Sequence, residues 1–85
     1  MKGEGYLTIC GKQIKVYFDC YQNTSTYHID LNANFQSVFS QITTGTQAKL
    51  STGLGGTITH NLTVTFCPRA LAKPGGHYNR LTLIK

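Results

Sequence analysis

From residue 13 to residue 21 the chain alternates apolar and polar side chains without a break, and no other feature restricts its fold as much. Ile14, Val16, Phe18 and Cys20 fall on one face, and Lys15, Tyr17, Asp19 and Tyr21 on the other. A period of two is the geometry of a half-buried strand, whose successive side chains point to opposite sides of a sheet. The pattern returns over residues 57–67. There Ile58, Leu62, Val64 and Phe66 share a face interrupted only by His60, opposite Thr57, Thr59, Asn61, Thr63 and Thr65. Pro68 ends this run, because proline cannot donate to a ladder.

Weaker signals fill in the rest. Residues 6–10 read as a strand joined to the next by a tight Gly11-Lys12 turn. Residues 26–31 alternate Tyr27, Ile29 and Leu31 with Thr26, His28 and Asp30, so a three-strand meander is expected, with residues 22–25 as its polar connection. Residues 46–50 suggest a short strand and residues 51–56 a glycine-rich turn. Residues 69–79 form a loop containing Pro and Gly, and residues 80–84 a last strand with Leu81 and Leu83 on one side.

Between the two halves the period changes. Phe35, Val38, Phe39 and Ile42 follow the i, i+3, i+4, i+7 rule of a helical stripe. The spacing predicts a helix over residues 34–43, capped by Asn32 or Asn34 and followed by Gly45, with Phe39 as its largest apolar anchor. The resulting order is βββαβββ. This is an α+β fold: a small, largely antiparallel sheet of five or six strands with one short amphipathic helix packed on one face.

At 85 residues the chain is read as a single domain, 1–85, with room for one small core and none for a multidomain enzyme. Charged residues make up 13%, about half the usual share. They are lopsided: eight Lys and Arg face only Glu4, Asp19 and Asp30, for a net charge of +5. Such a chain favours acidic partners. No apolar run approaches the roughly 18 residues of a membrane span, so no membrane partner is expected. Cys10, Cys20 and Cys67 match no paired zinc spacing, and no signal segment precedes them, which points to a reducing cytoplasm and to no metal or cofactor.

Catalysis finds little material. Nothing after Asp30 is acidic, and His60 lies seven residues before Cys67 on one strand, hence on the opposite face. The residues that do stand out are basic and aromatic. With Leu7 and Ile9 in the core beside Ile14, Val16 and Phe18, the first hairpin turns Tyr6, Lys15, Tyr17 and Tyr21 outward. The loop around Lys73, Gly75, Gly76 and His77 adds Arg69, Tyr78 and Arg80. Cations hold phosphates while rings stack on bases, so Lys15, Tyr17, Tyr21, Arg69, Lys73, His77, Tyr78 and Arg80 are the expected binding residues.

The expected function is therefore non-catalytic binding of a macromolecule, foremost nucleic acid or a nucleoprotein. The alternative is a protein that blocks a larger protein, as the stand-alone anti-defence inhibitors of phages and mobile elements do, anti-CRISPR proteins among them, or a self-assembling structural subunit. The Thr/Asn-rich strand face suits such an interface, and an open edge strand would allow a homodimer.

Overall fold

The computed structural model describes residues 2–20, 25–68 and 80–85. Six strands make up the fold: β1 (Lys2–Ile9), β2 (Lys12–Cys20), β3 (Thr26–Asp30), β4 (Gln47–Thr52), β5 (Ile58–Phe66) and β6 (Arg80–Ile84). They close into an antiparallel barrel in the order β1-β2-β3-β6-β5-β4. Two three-strand meanders thus face each other, sealed by the β1/β4 and β3/β6 pairings.

The alternation read from the sequence is what lines this barrel. Leu7, Ile9, Ile14, Val16, Phe18, Tyr27, Ile29, Ala48, Leu50, Leu62, Val64, Leu81 and Leu83 point inward and form one buried cluster. β1 and β2 are joined by Cys10-Gly11, one residue earlier than expected, and both residues adopt positive φ (49° and 76°). A two-residue hairpin turn of this kind matches the right-handed twist of its strands. Gly5 has a different task. A Cβ there would lie 2.5 Å from the Ser51 carbonyl oxygen, so only glycine lets β1 close against β4.

The α+β expectation is corrected: the described residues contain no α-helix, and the sheet is a closed barrel. The segment expected to be helical forms two single 3-10 turns, Ala33–Phe35 and Phe39–Gln41. Its hydrogen bonds run three residues back, as from Val38 to Phe35 and from Ile42 to Phe39. Residues 34–43 contain no Ala, Leu or charged residue, so intrinsic helix propensity is weak. Spacing of three also serves a 3-10 turn, so Phe35 and Val38 are buried without a helix. Asn32 does cap the first turn, accepting from the Asn34 amide at 2.9 Å. Phe39 is only half-buried, and the fully buried anchor is Phe35.

This connector spans one end of the barrel from β3 to β4, inserting Leu31, Phe35, Val38 and Ile42 into the core. It is pinned to β5 by Gly45 donating to the Val64 carbonyl and Val64 donating to that of Thr46, both at 2.8 Å. A shift in register between Val64 and Phe66 leaves Phe66 57% exposed, where strict alternation had placed it inside. Closure gives each described strand a neighbour on both sides and so shortens the open edges on which the expected edge-strand homodimer would draw, although β2 pairs with β3 only at Phe18, Asp19 and Cys20. No helix among the described residues is long and apolar enough to cross a membrane.

Candidate nucleic-acid interface

The outward residues of four neighbouring strands fall into rows. Lys15, Tyr6, Ser51 and Thr59 are successive cross-strand partners over β2, β1, β4 and β5. Gln13, Thr8, Lys49 and Asn61 form the next row, and Tyr17 pairs with Glu4 above them. The tyrosine-bearing hairpin and the Thr/Asn-rich strand, which read as separate features in the sequence, are therefore one continuous surface joined by β4. Tyr6 is 47% and Tyr17 48% exposed, so about half of each side chain is open to solvent on this surface. Exposed aromatic side chains on a sheet surface are what a stacking platform is built from.

Of the expected binding residues, Lys15 and Tyr17 lie on this surface. Tyr21, Arg69, Lys73, His77 and Tyr78 fall outside the described residues. Arg80 is on β6, separated from β2 by β3, and its Nε donates to Asp30 Oδ1 at 3.0 Å. Sequence reasoning missed Lys49 as a site residue, although Ala48 and Leu50 on either side are buried and the alternation alone turns Lys49 outward.

At the upper edge of the surface β1 and β4 part. Their last pair is Tyr6 with Ser51, after which β1 continues on β2 alone and β4 runs into the glycine loop. Between them lies an open groove of about 580 Å³. Glu4, Tyr6 and Lys15 line one side, and Gly53, Gly55 and Gly56 the other. Lys15 Nζ stands 3.9 Å from Glu4 Oε2, with both side chains more than half exposed. An ion pair so long and so wet contributes little to stability and opens readily.

The barrel end beside this groove has a polar interior layer. His60, the residue that broke the apolar run of β5, points inward. Its Nδ1 lies 3.3 Å from the Tyr27 hydroxyl and its Nε2 3.3 Å from the Thr52 hydroxyl. The Tyr27 and His60 rings are 5.4 Å apart, and Lys85 Nζ sits 5.9 Å above the Tyr27 ring. Burial and the Lys85 charge hold the His60 pKa below its ordinary value. Burial, a hydrogen bond with Cys20 and the charge that Cys20 carries when ionised push the Tyr27 pKa up. Burial likewise raises the Cys67 thiol, which opposes a nucleophilic thiolate. Among the described residues, no three His, Cys, Asp or Glu side chains converge in a way that could hold a metal ion.

Comparison with protein-family models, with curated proteins and with solved structures found no match to this chain.

Proposed function

We propose that the protein is a non-catalytic binder of single-stranded nucleic acid, which it takes across the outer face of β2, β1, β4 and β5. The observation that carries this reading is the contiguity of Tyr6, Tyr17, Lys15 and Lys49 on one sheet surface. Stacking on an aromatic face costs no sequence choice, because every base has a π-face, and a lysine in the row beside the rings, Lys49, meets a phosphate between bases. The net charge of +5 favours approach to a polyanion.

A single-stranded ten-mer titrated with protein at low salt, followed by fluorescence anisotropy, tests this. Binding in the micromolar range is expected for both RNA and DNA. Tyr6→Ala and Tyr17→Ala should each weaken it by about 1 to 3 kcal/mol without changing the salt dependence, since stacking releases no counterions. Absence of binding at tens of micromolar protein would remove the reading.

A protein target draws support from other residues. Leu54 is 95% and Ile58 52% exposed on the barrel rim, and neighbouring apolar side chains left in solvent are a mark of protein-interaction surfaces. Capture of a lysate protein that survives nuclease treatment and is lost in Leu54→Ser would favour the inhibitor reading.

A further inference from the structure

We propose that the groove between β1 and the glycine loop is a guanine-selective subsite, receiving one base of the single strand. This step rests on the nucleic-acid reading above. The shape comes first. At about 580 Å³ the groove falls within the ~300–1,000 Å³ range of small-ligand sites. One wall carries Tyr6, and the other is backbone, because Gly53, Gly55 and Gly56 present no side chains. A Cβ placed on Gly55 would meet nothing within 4 Å, whereas one on Gly53 would meet Ile58 at 3.3 Å, so the wall is open at Gly55 and backed by Ile58 at Gly53. A slot with an aromatic side chain on one side and bare backbone on the other admits a flat ring.

Charge decides what enters. A phosphate would gain Lys15 but meet the Glu4 carboxylate 3.9 Å away, which repels it. A base is not repelled in this way, and the two groups together discriminate among bases. The Glu4 carboxylate offers two adjacent acceptors, and the Lys15 ammonium offers donors beside them. Guanine presents two adjacent donors on its Watson–Crick edge, N1–H and the N2 amino group, followed by the O6 acceptor. The carboxylate takes both donors side by side while the ammonium donates to O6. Adenine and cytosine each bring one donor, from an amino group, next to a ring acceptor. Thymine and uracil bring a single donor between two acceptors. Only guanine fills both carboxylate oxygens. The exchange is cheap, because the exposed Lys15–Glu4 pair gives up little when a base comes between its members.

The test uses labelled thymidine ten-mers carrying one central guanine, adenine, cytosine, thymine or hypoxanthine, with anisotropy as the readout. The guanine strand should bind about tenfold more tightly than the thymine, adenine and cytosine strands. Hypoxanthine, which lacks the N2 amino group, should fall between them. Glu4→Gln should abolish the difference between the guanine and thymine strands, with the thymine strand binding at least as tightly as it does to wild type, because a charge that repels phosphate is lost. Glu4 is solvent-exposed, so an unchanged melting temperature should accompany this loss. Equal binding of all five strands, or a guanine preference that persists in Glu4→Gln, overturns the subsite and leaves the general nucleic-acid reading standing. If no strand binds, that reading falls and the subsite with it.

Discussion

The two ends of the barrel are closed by opposite means. At one end the connector between β3 and β4 pushes Phe35, Val38 and Ile42 into the core, each at most 5% exposed, and the closure is apolar. At the other end Tyr27, His60 and Thr52 meet through hydrogen bonds under the Lys85 ammonium. An apolar plug stabilises in proportion to the area it hides and is indifferent to pH. A polar closure adds little net stability when satisfied, but it is costly when one partner is lost. The groove between β1 and the glycine loop opens beside the polar end, so the side of the barrel proposed to take a ligand is the one whose closure responds to solvent and protons.

The largest effect should come from the plug. Phe35→Ala leaves a cavity in a fully buried site and should cost about 3 to 5 kcal/mol, a large share of what a domain of this size possesses. Phe39→Ala, at a half-buried position, should cost less than half as much in the same denaturant titration. Equal losses would mean that the connector packs as an amphipathic helix does, with Phe39 at its centre. The contrast between the two ends would then rest on the wrong residues.

A middle-sized effect belongs to the polar end. Tyr27→Phe removes one hydroxyl from His60 Nδ1 and should cost about 1 kcal/mol, because His60 is half-buried and water can reach part of the vacated position. Adding His60→Leu to Tyr27→Phe removes both partners at once. The double variant should be closer to wild type than the sum of its single variants, with a coupling of about 0.5 kcal/mol or more. Strict additivity would show that the Tyr27–His60 contact contributes nothing as a pair.

What the sequence disclosed follows the same division. The inner face of the barrel was legible because strand alternation is a local signal, and residues 14, 16 and 18 reveal it without knowledge of their neighbours. Closure was not legible. Whether β1 ends beside β4 depends on residues forty positions apart and on a close approach at Gly5 that no local pattern announces. The helix expectation failed because spacing of three suits both an α-helix and a 3-10 turn, and the poor helix formers of residues 34–43 left the choice to tertiary packing. That Tyr17 and Lys15 lie on the outer face of the sheet was legible from alternation alone, and the same argument reaches Lys49. That Glu4 stands next to Lys15 depends on the β1/β2 register: Glu4 pairs with Tyr17 and Tyr6 with Lys15, which brings the carboxylate diagonally within reach of the ammonium.

The smallest effect is also the one that separates the two ends most cleanly. The folded protein keeps His60 neutral, with its pKa below the ordinary 6.5, so the unfolded chain binds more protons once the pH falls below that value. Stability contributed by this residue is full above about pH 6.5 and declines as the pH falls toward the folded-state value. The slope for one proton cannot exceed ~1.4 kcal/mol per pH unit. Tyr27 sets the opposite limit. Its pKa is raised above 10.0, so its contribution is present below that value and is lost as the pH rises through the folded-state value. Melting temperatures measured from pH 7.5 down to 5.5 should therefore fall more steeply for wild type than for His60→Gln, whose amide can bond both hydroxyls but does not titrate. Glu4, Asp19 and Asp30 are present in both proteins, so the difference between the two curves isolates the ring. Phe35→Ala should lower the whole curve without altering its shape, because the plug carries no titrating group. Parallel curves for wild type and His60→Gln would mean that the polar end is no more sensitive to protons than the apolar one.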